Sequence, residues 1–409
     1  MGAQKELIYD VVVIGGGPAG GHCARKLAKS GVKVLLVEKT KNFEENSFSS
    51  AGMILETLTE FDIPDFVVGS YWNRIIIESS TKSYSWESSH NQGAVLDFAK
   101  LRQFLADECL KYNGDVLMGH RYLSKKQTNF GISIDLKNTF TNEIIQVQSK
   151  LVVDATGPAR KVMFDENEEQ PQMLVASAVE FLIEVPQDVY DRCAKALVFF
   201  MGKKFSDDGY SWIFPMENRI LKVGSGKIFY EIKKSSSSKM LTEKVIKDYL
   251  GLESYKLINS HGGVYRFSKG LNDVFYRNKV VGIGDVISSV NPLGGEGIRF
   301  AMQSSEMLVP FILNYLETGE NQFEIYRKKW RKKHQLKWRI SEELCKKVYI
   351  DYDDKKLDLR LSQYHKVSNM EDLIDILFRF NFKKVFFRIV ISYTKNFKTK
   401  LLGRKINKT

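Results

Sequence analysis

The chain has 409 residues, 43% apolar and 27% charged, the balance of a folded globular protein with more length than one hydrophobic core usually takes. The formal net charge is +12, and it is unevenly placed: Asn321 to Thr409 holds 24 Lys and Arg against 10 Asp and Glu, so the basic excess lies in the last quarter. Cys23, Cys109, Cys193 and Cys345 are scattered and the histidines show no ligand spacing, which excludes a disulfide framework and a metal site and fits a reducing compartment. No apolar run approaches the roughly 18 residues that span a bilayer, and the start of the chain lacks a secretory leader. A cytoplasmic or plastid-stromal type of compartment is the expectation.

In chain order, Tyr9 to Ile14 reads as a parallel strand buried on both faces. Gly15, Gly17 and Gly20 then stand in Gly-x-Gly-x-x-Gly spacing, with Pro18 and Ala19 between. Such a turn brings a pyrophosphate against bare backbone and aims the first N–H groups of the following helix, about Ala19 to Lys29, at the phosphates. A second strand, Lys33 to Val37, ends at Glu38 with Lys39 beside it; an acid there accepts from both hydroxyls of an adenosine ribose. This unit alone does not decide between FAD and NAD.

Further along, Arg102 lies in the helical segment DFAKLRQFL, and Asp154 to Arg160 reads DATGPAR. Tyr210, Trp212 and Phe214 alternate, which puts three rings on one face of a strand. Core filling and a flat wall for an apolar substrate both suit such a row; in the second case the Tyr hydroxyl and indole N–H serve as polar handles. Lys227 to Lys244 reads as a surface loop, and His261, before Gly262 and Gly263, as a loop histidine. Lys279 to Ile283 is another short strand, ending in Gly284 and Asp285. After it Asn291 to Gly297 opens a long helix, about Ile298 to Leu316, through Gly294, Gly295 and Gly297. Asp285 is placed to accept from a sugar-alcohol hydroxyl, and the glycine loop to offer N–H groups to a polar ring edge.

GGGPAG at Gly15–Gly20 together with GDVISSVNPLGGEGI at Gly284–Ile298 resembles the FAD signatures of the hydroxybenzoate-hydroxylase-like flavoproteins. The resemblance runs from about Tyr9 to Leu316. It implies FAD as cofactor, Asp154–Arg160 beside it, and Arg102 near its phosphates. No second glycine unit for NADPH is present, so the electron donor is either NADPH bound transiently or a reduced protein carrier. Tyr210-Ser-Trp212-Ile-Phe214-Pro215, eight residues, then Gly224-Ser-Gly226 resembles the motif of the geranylgeranyl reductase family, which reduces double bonds of long prenyl chains. That implies a hydrophobic isoprenoid substrate lying along Tyr210, Trp212 and Phe214. The family's Cys-Gly-Gly segment is replaced by Ser49-Ser50-Ala51-Gly52, with no cysteine nearby, so chemistry that needs that thiol is excluded. Tyr210, Glu296 and Ser50 are the candidate proton donors, although Glu296 also suits a capping role at the long helix.

The expected architecture is α/β. An FAD lobe is assembled from 1–165 and 271–319, a mainly antiparallel substrate sheet from 166–270, and a basic helical region from 320–409. For that last region, whose charge is interleaved with Trp330, Leu336 and Trp338, a solvated cap and a membrane-surface patch compete; no nucleic-acid module accompanies the charge. A flavin monooxygenase, a redox-neutral lycopene-cyclase-like enzyme and a non-catalytic carrier of prenyl pigments stand as alternative functions. Oligomeric state is not set by any feature of the sequence.

Overall fold

The computed structural model describes residues 7–45, 47, 49–165, 168–229 and 237–383. The continuous apolar runs form a parallel sheet, as expected of strands covered on both faces. Five strands lie in the order Val280–Gly282, Ile144–Asp154, Leu7–Ile14, Val34–Val37 and Asp115–Leu117, all parallel, and Tyr276–Arg277 pairs antiparallel beside the first. A hairpin, His120–Gln127 and Ile132–Asn138, adds antiparallel strands to the free end of Ile144–Asp154. Helix Pro18–Lys29 and the long helix Ile298–Thr318 pack on each other against one face of this sheet.

The second sheet is almost wholly antiparallel, in the order Lys256–Ser268, Met173–Glu184, Ile220–Phe229, Gly209–Pro215, Ala196–Phe200, Arg74–Glu78 and Ser83–Glu87. Among the described residues its one parallel pairing joins Ala196–Phe200 to Arg74–Glu78. Two of its strands therefore come from inside the segment 1–165 that the sequence reading gave wholly to the FAD lobe. They follow a short strand, Val68–Trp72, whose sheet with Gly52–Ile54 and Gly93–Leu96 bridges the lobes. Strand alternation splits the substrate sheet cleanly: Ile213 packs into a core under one face, while Trp212 and Phe214 join the core shared with the FAD lobe. His261 sits on the edge strand Lys256–Ser268, not on a loop.

Helix Phe323–Lys346 follows the long helix. Phe323, Tyr326, Trp330, His334, Trp338, Ser341 and Cys345 recur every three or four residues and form its buried stripe. Trp330 and Trp338 are therefore fully enclosed, which removes them as anchors for lipid head groups, while Lys328, Lys329, Lys332, Lys333 and Arg339 face solvent. Helices Asp354–His365 and Met370–Leu377 complete the cap, the last begun by a reciprocal capping box between Asn369 and Asp372. The segment Lys227–Lys244 contains the end of a strand and helix Ser238–Val245; residues 230–236 between them, and the basic tail Lys395 to Thr409, lie outside the described residues. Among the described residues no helix is long and apolar enough to cross a membrane.

Candidate active site

The first glycine turn is set by backbone geometry. Gly15 has φ +111°, and a Cβ there would lie 2.3 Å from the Ala155 carbonyl oxygen; one on Gly20 would lie 1.9 Å from the Gly15 oxygen. Only bare backbone allows this strand, turn and helix to close up. Gly17 has nothing within 4 Å of where its Cβ would stand. It opens a helix that carries Pro18 at its start and no side-chain cap, so the first N–H groups are left to a ligand. They give onto a groove of about 960 Å³ lined by Gly15, Gly17, Glu38, Lys39, Arg102 and Ala155–Gly157. That volume is at the top of the range of about 300–1,000 Å³ for small-molecule sites.

Glu38 accepts from Gly16 N at 2.8 Å and from Thr40 N and Oγ1 at 3.0 Å, and pairs with Arg102 at 3.3 Å. Ribose hydroxyls compete for these lone pairs rather than finding them empty. Arg102 is buried, donates from Nε to the Gly16 oxygen at 3.1 Å and lies over the Phe43 ring. It braces the glycine turn as well as lining the groove. Asp154 ties the neighbouring loop, accepting from Thr156, Val162 and Met163 backbone N–H groups. Arg160 joins that loop to the second glycine segment through Asp273 at 2.8 Å, Ser288 at 3.0 Å and the Val286 oxygen at 2.9 Å.

The two glycine segments, far apart in sequence, meet. Gly284, at φ +61°, packs so closely on the first helix that a Cβ would lie 2.9 Å from Ala19 Cβ, and Ser305 Oγ donates to the Ala19 oxygen at 2.7 Å. Asp285 is half-buried and accepts from Ser289 at 3.0 Å; burial raises its pKa. Gly297 opens the long helix, again without a side-chain cap, and with Gly295 and Ile298 lines a second, smaller cavity. Two uncapped helix N-termini and two glycine segments in contact fit an extended dinucleotide with a phosphate middle and a polar ring at one end.

The aromatic motif reaches the same place. Tyr210, Trp212 and Phe214 all line the smaller cavity, opposite Ser49–Met53 and Leu293–Arg299. A third cavity, behind Tyr210 and Trp212, is lined by Ala176–Ala178, Tyr265, Phe267 and Asn291, and shares Ser50 and Gly295 with the second. The two polar handles of the aromatic row are already engaged within the protein. Tyr210 donates to the Gly294 oxygen at 2.8 Å, and Trp212 Nε1 donates to Glu180 at 2.8 Å. Burial holds the Tyr210 phenol well above its ordinary pKa. Glu296 makes no cap: its two oxygens accept from Arg299 Nε and Nη2 at 2.7 and 2.8 Å. Burial raises its pKa and the Arg299 guanidinium opposes that shift.

Several lining residues escaped the sequence reading. Tyr349, Leu377 and Phe378 come from the C-terminal cap, beyond the reach of any motif. Phe378 stacks on Trp72 at 5.6 Å, and its carbonyl accepts from Arg299. Lys222 and Glu180, which stand behind the lining, had a signal available, since each is a charge within a largely apolar strand.

Two family profiles match: FAD dependent oxidoreductase over residues 10–164, and geranylgeranyl reductase catalytic domain over residues 177–264. The second covers the strands that carry Trp212 and Glu180. The chain is a geranylgeranyl reductase-like FAD-dependent oxidoreductase. Relatives agree along most of their length. The digeranylgeranylglycerophospholipid reductase of Haloferax volcanii is 26% identical over 340 residues, 79% of this chain and 81% of its own. That of Thermoplasma acidophilum is 24% identical over 392 residues, 90% and 95%. A geranylgeranyl bacteriochlorophyll reductase-like crystal structure from Thermoplasma acidophilum superposes with a TM-score of 0.77 at 22% identity, covering 89% of this chain and 93% of that one. The myxobacterial halogenase CndH shares the fold at a TM-score of 0.60 and 16% identity, covering 79% and 78%.

Proposed function

We propose that this protein reduces carbon–carbon double bonds in geranylgeranyl chains borne on a polar lipid of the glycerophospholipid type. The observation that carries this reading is the seating of Tyr210 on the second glycine loop. Its hydroxyl bonds the Gly294 oxygen and stands 2.9 Å from where a Gly295 Cβ would be. The aromatic wall is thereby built directly onto the flavin loop, and a prenyl chain lying on it is held beside the cofactor. The relatives named for lipid reduction support the substrate class.

FAD, when bound, would supply the electron pair together with one of the two hydrogens that saturate the double bond, and the other arrives as a proton. The chain's own residues do the rest. The uncapped helix starts at Gly17 and Gly297 would hold the phosphates and the ring edge, and Glu38 would orient the ribose. Phe199, Tyr210, Trp212 and Phe214 exclude water, which keeps the proton supply selective. Among the three proton-donor candidates, Tyr210 and Glu296 are tied to Gly294 and Arg299, whereas Ser50 lies on the loop shared by both cavities. Ser50 Oγ passes a proton to the alkene carbon while taking one from water, where a thiol would have served. The electron donor would be NADPH bound transiently or a reduced protein carrier. The exposed basic face of helix Phe323–Lys346 rests on anionic head groups, which brings the enzyme to a lipid-borne substrate.

Product mass is the test. Incubation of the reduced FAD-loaded protein with a digeranylgeranyl glycerophospholipid adds two hydrogens for each bond reduced. An unchanged mass with a new ring indicates a cyclase, a gain of oxygen indicates a hydroxylase, and unaltered lipid indicates a carrier. Any of the three would overturn the reading.

A further inference from the structure

Across the antiparallel sheet Trp212 stands opposite Gly224, and Gly224 opposite Glu180. Gly224 has no side chain because the indole occupies that space: a Cβ would lie 2.2 Å from Trp212 Cζ2 and 2.4 Å from Cε2. The indole thus crosses the middle strand, and Nε1 donates to Glu180 Oε2 at 2.8 Å. Both residues are buried, Glu180 to 4% exposure. Two positions along the same strand face, Lys222 Nζ donates to the carbonyls of Ser49 at 2.9 Å, Leu96 at 3.0 Å and Ser50 at 3.4 Å. Three carbonyl acceptors around one nitrogen suit an ammonium with three donors. This cation offsets part of the burial that raises the Glu180 pKa. A leucine at 180 would fill the core without the desolvation cost of a carboxyl. What glutamate adds is a directional acceptor for one ring of the cavity wall.

We propose that Glu180 is a positioning residue of this reductase: its hydrogen bond to Nε1 fixes the Trp212 indole as the partition between the two cavities, and so sets how the prenyl chain lies against the Ser49–Gly52 loop. The inference rests on the prenyl-reductase reading above. Only the first glycine of the Gly-x-Gly pair is crossed this closely, since a Cβ on Gly226 would meet the indole at an ordinary 3.5 Å. The spacing of the aromatic motif to its glycines therefore reflects a side-chain contact that spans three strands.

The test uses the FAD-loaded full chain. Glu180→Leu is expected to raise KM for a geranylgeranyl lipid about tenfold, the scale of one lost hydrogen bond, with kcat within about threefold. Glu180→Gln, whose amide oxygen still accepts, stays within about twofold of wild type. The Trp212 indole N–H resonance of ¹⁵N-labelled protein, assigned by its loss in Trp212→Phe, moves upfield in Glu180→Leu and less in Glu180→Gln. An unchanged KM in Glu180→Leu, or equal damage in Glu180→Gln, overturns the proposal. Should Glu180→Leu fail to fold, Trp212→Phe carries the test, because it keeps a ring without the N–H; an unchanged KM there overturns it equally. If the wild type reduces no polyprenyl lipid, the functional reading falls. Binding of phytanyl phosphate, read from the visible spectrum of the bound flavin, then decides the positioning role: the dissociation constant rises about tenfold in Glu180→Leu and not in Glu180→Gln, and equal constants contradict it.

Discussion

Gly15 and Gly224 show how a missing side chain can be the functional feature of a residue. At Gly15 the left-handed backbone and the Ala155 oxygen leave no room, so Gly15→Ala must displace the loop that lines the groove. The expected result is protein that keeps its helical content but purifies with less than about a tenth of the wild-type FAD, read from flavin absorbance per chain; the loss corresponds to the roughly 1–3 kcal/mol of an overpacked site. Ser50 makes a chemical prediction. Ser50→Ala should lower turnover by about 10²-fold, the low end of general acid contributions, with FAD content unchanged. Ser50→Cys should retain or exceed wild-type turnover, because a thiol is the better acid. Wild-type turnover in Ser50→Ala would remove Ser50 as the proton relay.

At the scale of elements, the helix Phe323–Lys346 carries a polar group inside its apolar stripe. His334 is packed against Trp330, Trp338 and Phe300, and among the described residues neither ring nitrogen has a hydrogen-bond partner. Burial, aided by Lys333, Lys337 and Arg299, lowers its pKa to about 2. The unfolded chain takes up this proton near pH 6.5 while the folded chain resists it, so the stabilisation is complete above about pH 6.5 and is lost as pH falls. Between pH 6.5 and pH 5 the loss is about 1–2 kcal/mol. His334→Phe should flatten that limb of a Tm-against-pH curve and leave Tm at pH 8 equal or higher. A steeper acid limb in the variant would contradict the assignment. His22, buried and lowered to about 4, falls in the same acid window. Just past the last helix Arg379 binds Glu56, Glu371 and Asp375, tying the cap to the FAD lobe. Arg379→Ala should therefore speed amide exchange in Met370–Leu377 without altering that of Leu7–Ile14.

Across the whole molecule, the parts most legible in the sequence are those where local chemistry decides the structure. The glycine turns, the strand before each and the aromatic alternation follow from steric rules acting over a few residues. Strands 74–78 and 83–87 were not legible as part of the substrate sheet, because strand partnership depends on long-range pairing rather than on pattern. The enclosure of Trp330 and Trp338 was hidden for a related reason: a Lys-rich helix with a narrow aromatic stripe reads alike whether the stripe meets a core or a lipid. With both rings buried, the groups this helix offers to a membrane surface are Lys328, Lys329, Lys332, Lys333 and Arg339. Each contributes about 1 kcal/mol at an anionic surface. Binding to vesicles of phosphatidylglycerol should thus fall with salt and collapse when the four lysines are changed to glutamate, and salt-independent binding would rule out this face.

The most direct measurement is an anaerobic half-reaction. Protein loaded with FAD and photoreduced in the absence of oxygen is mixed with a digeranylgeranyl glycerophospholipid, and the return of oxidised flavin absorbance is followed. Rapid reoxidation, with two hydrogens added to the lipid for each flavin reoxidised, is the predicted result; flavin that stays reduced with every polyprenyl lipid supplied would contradict it.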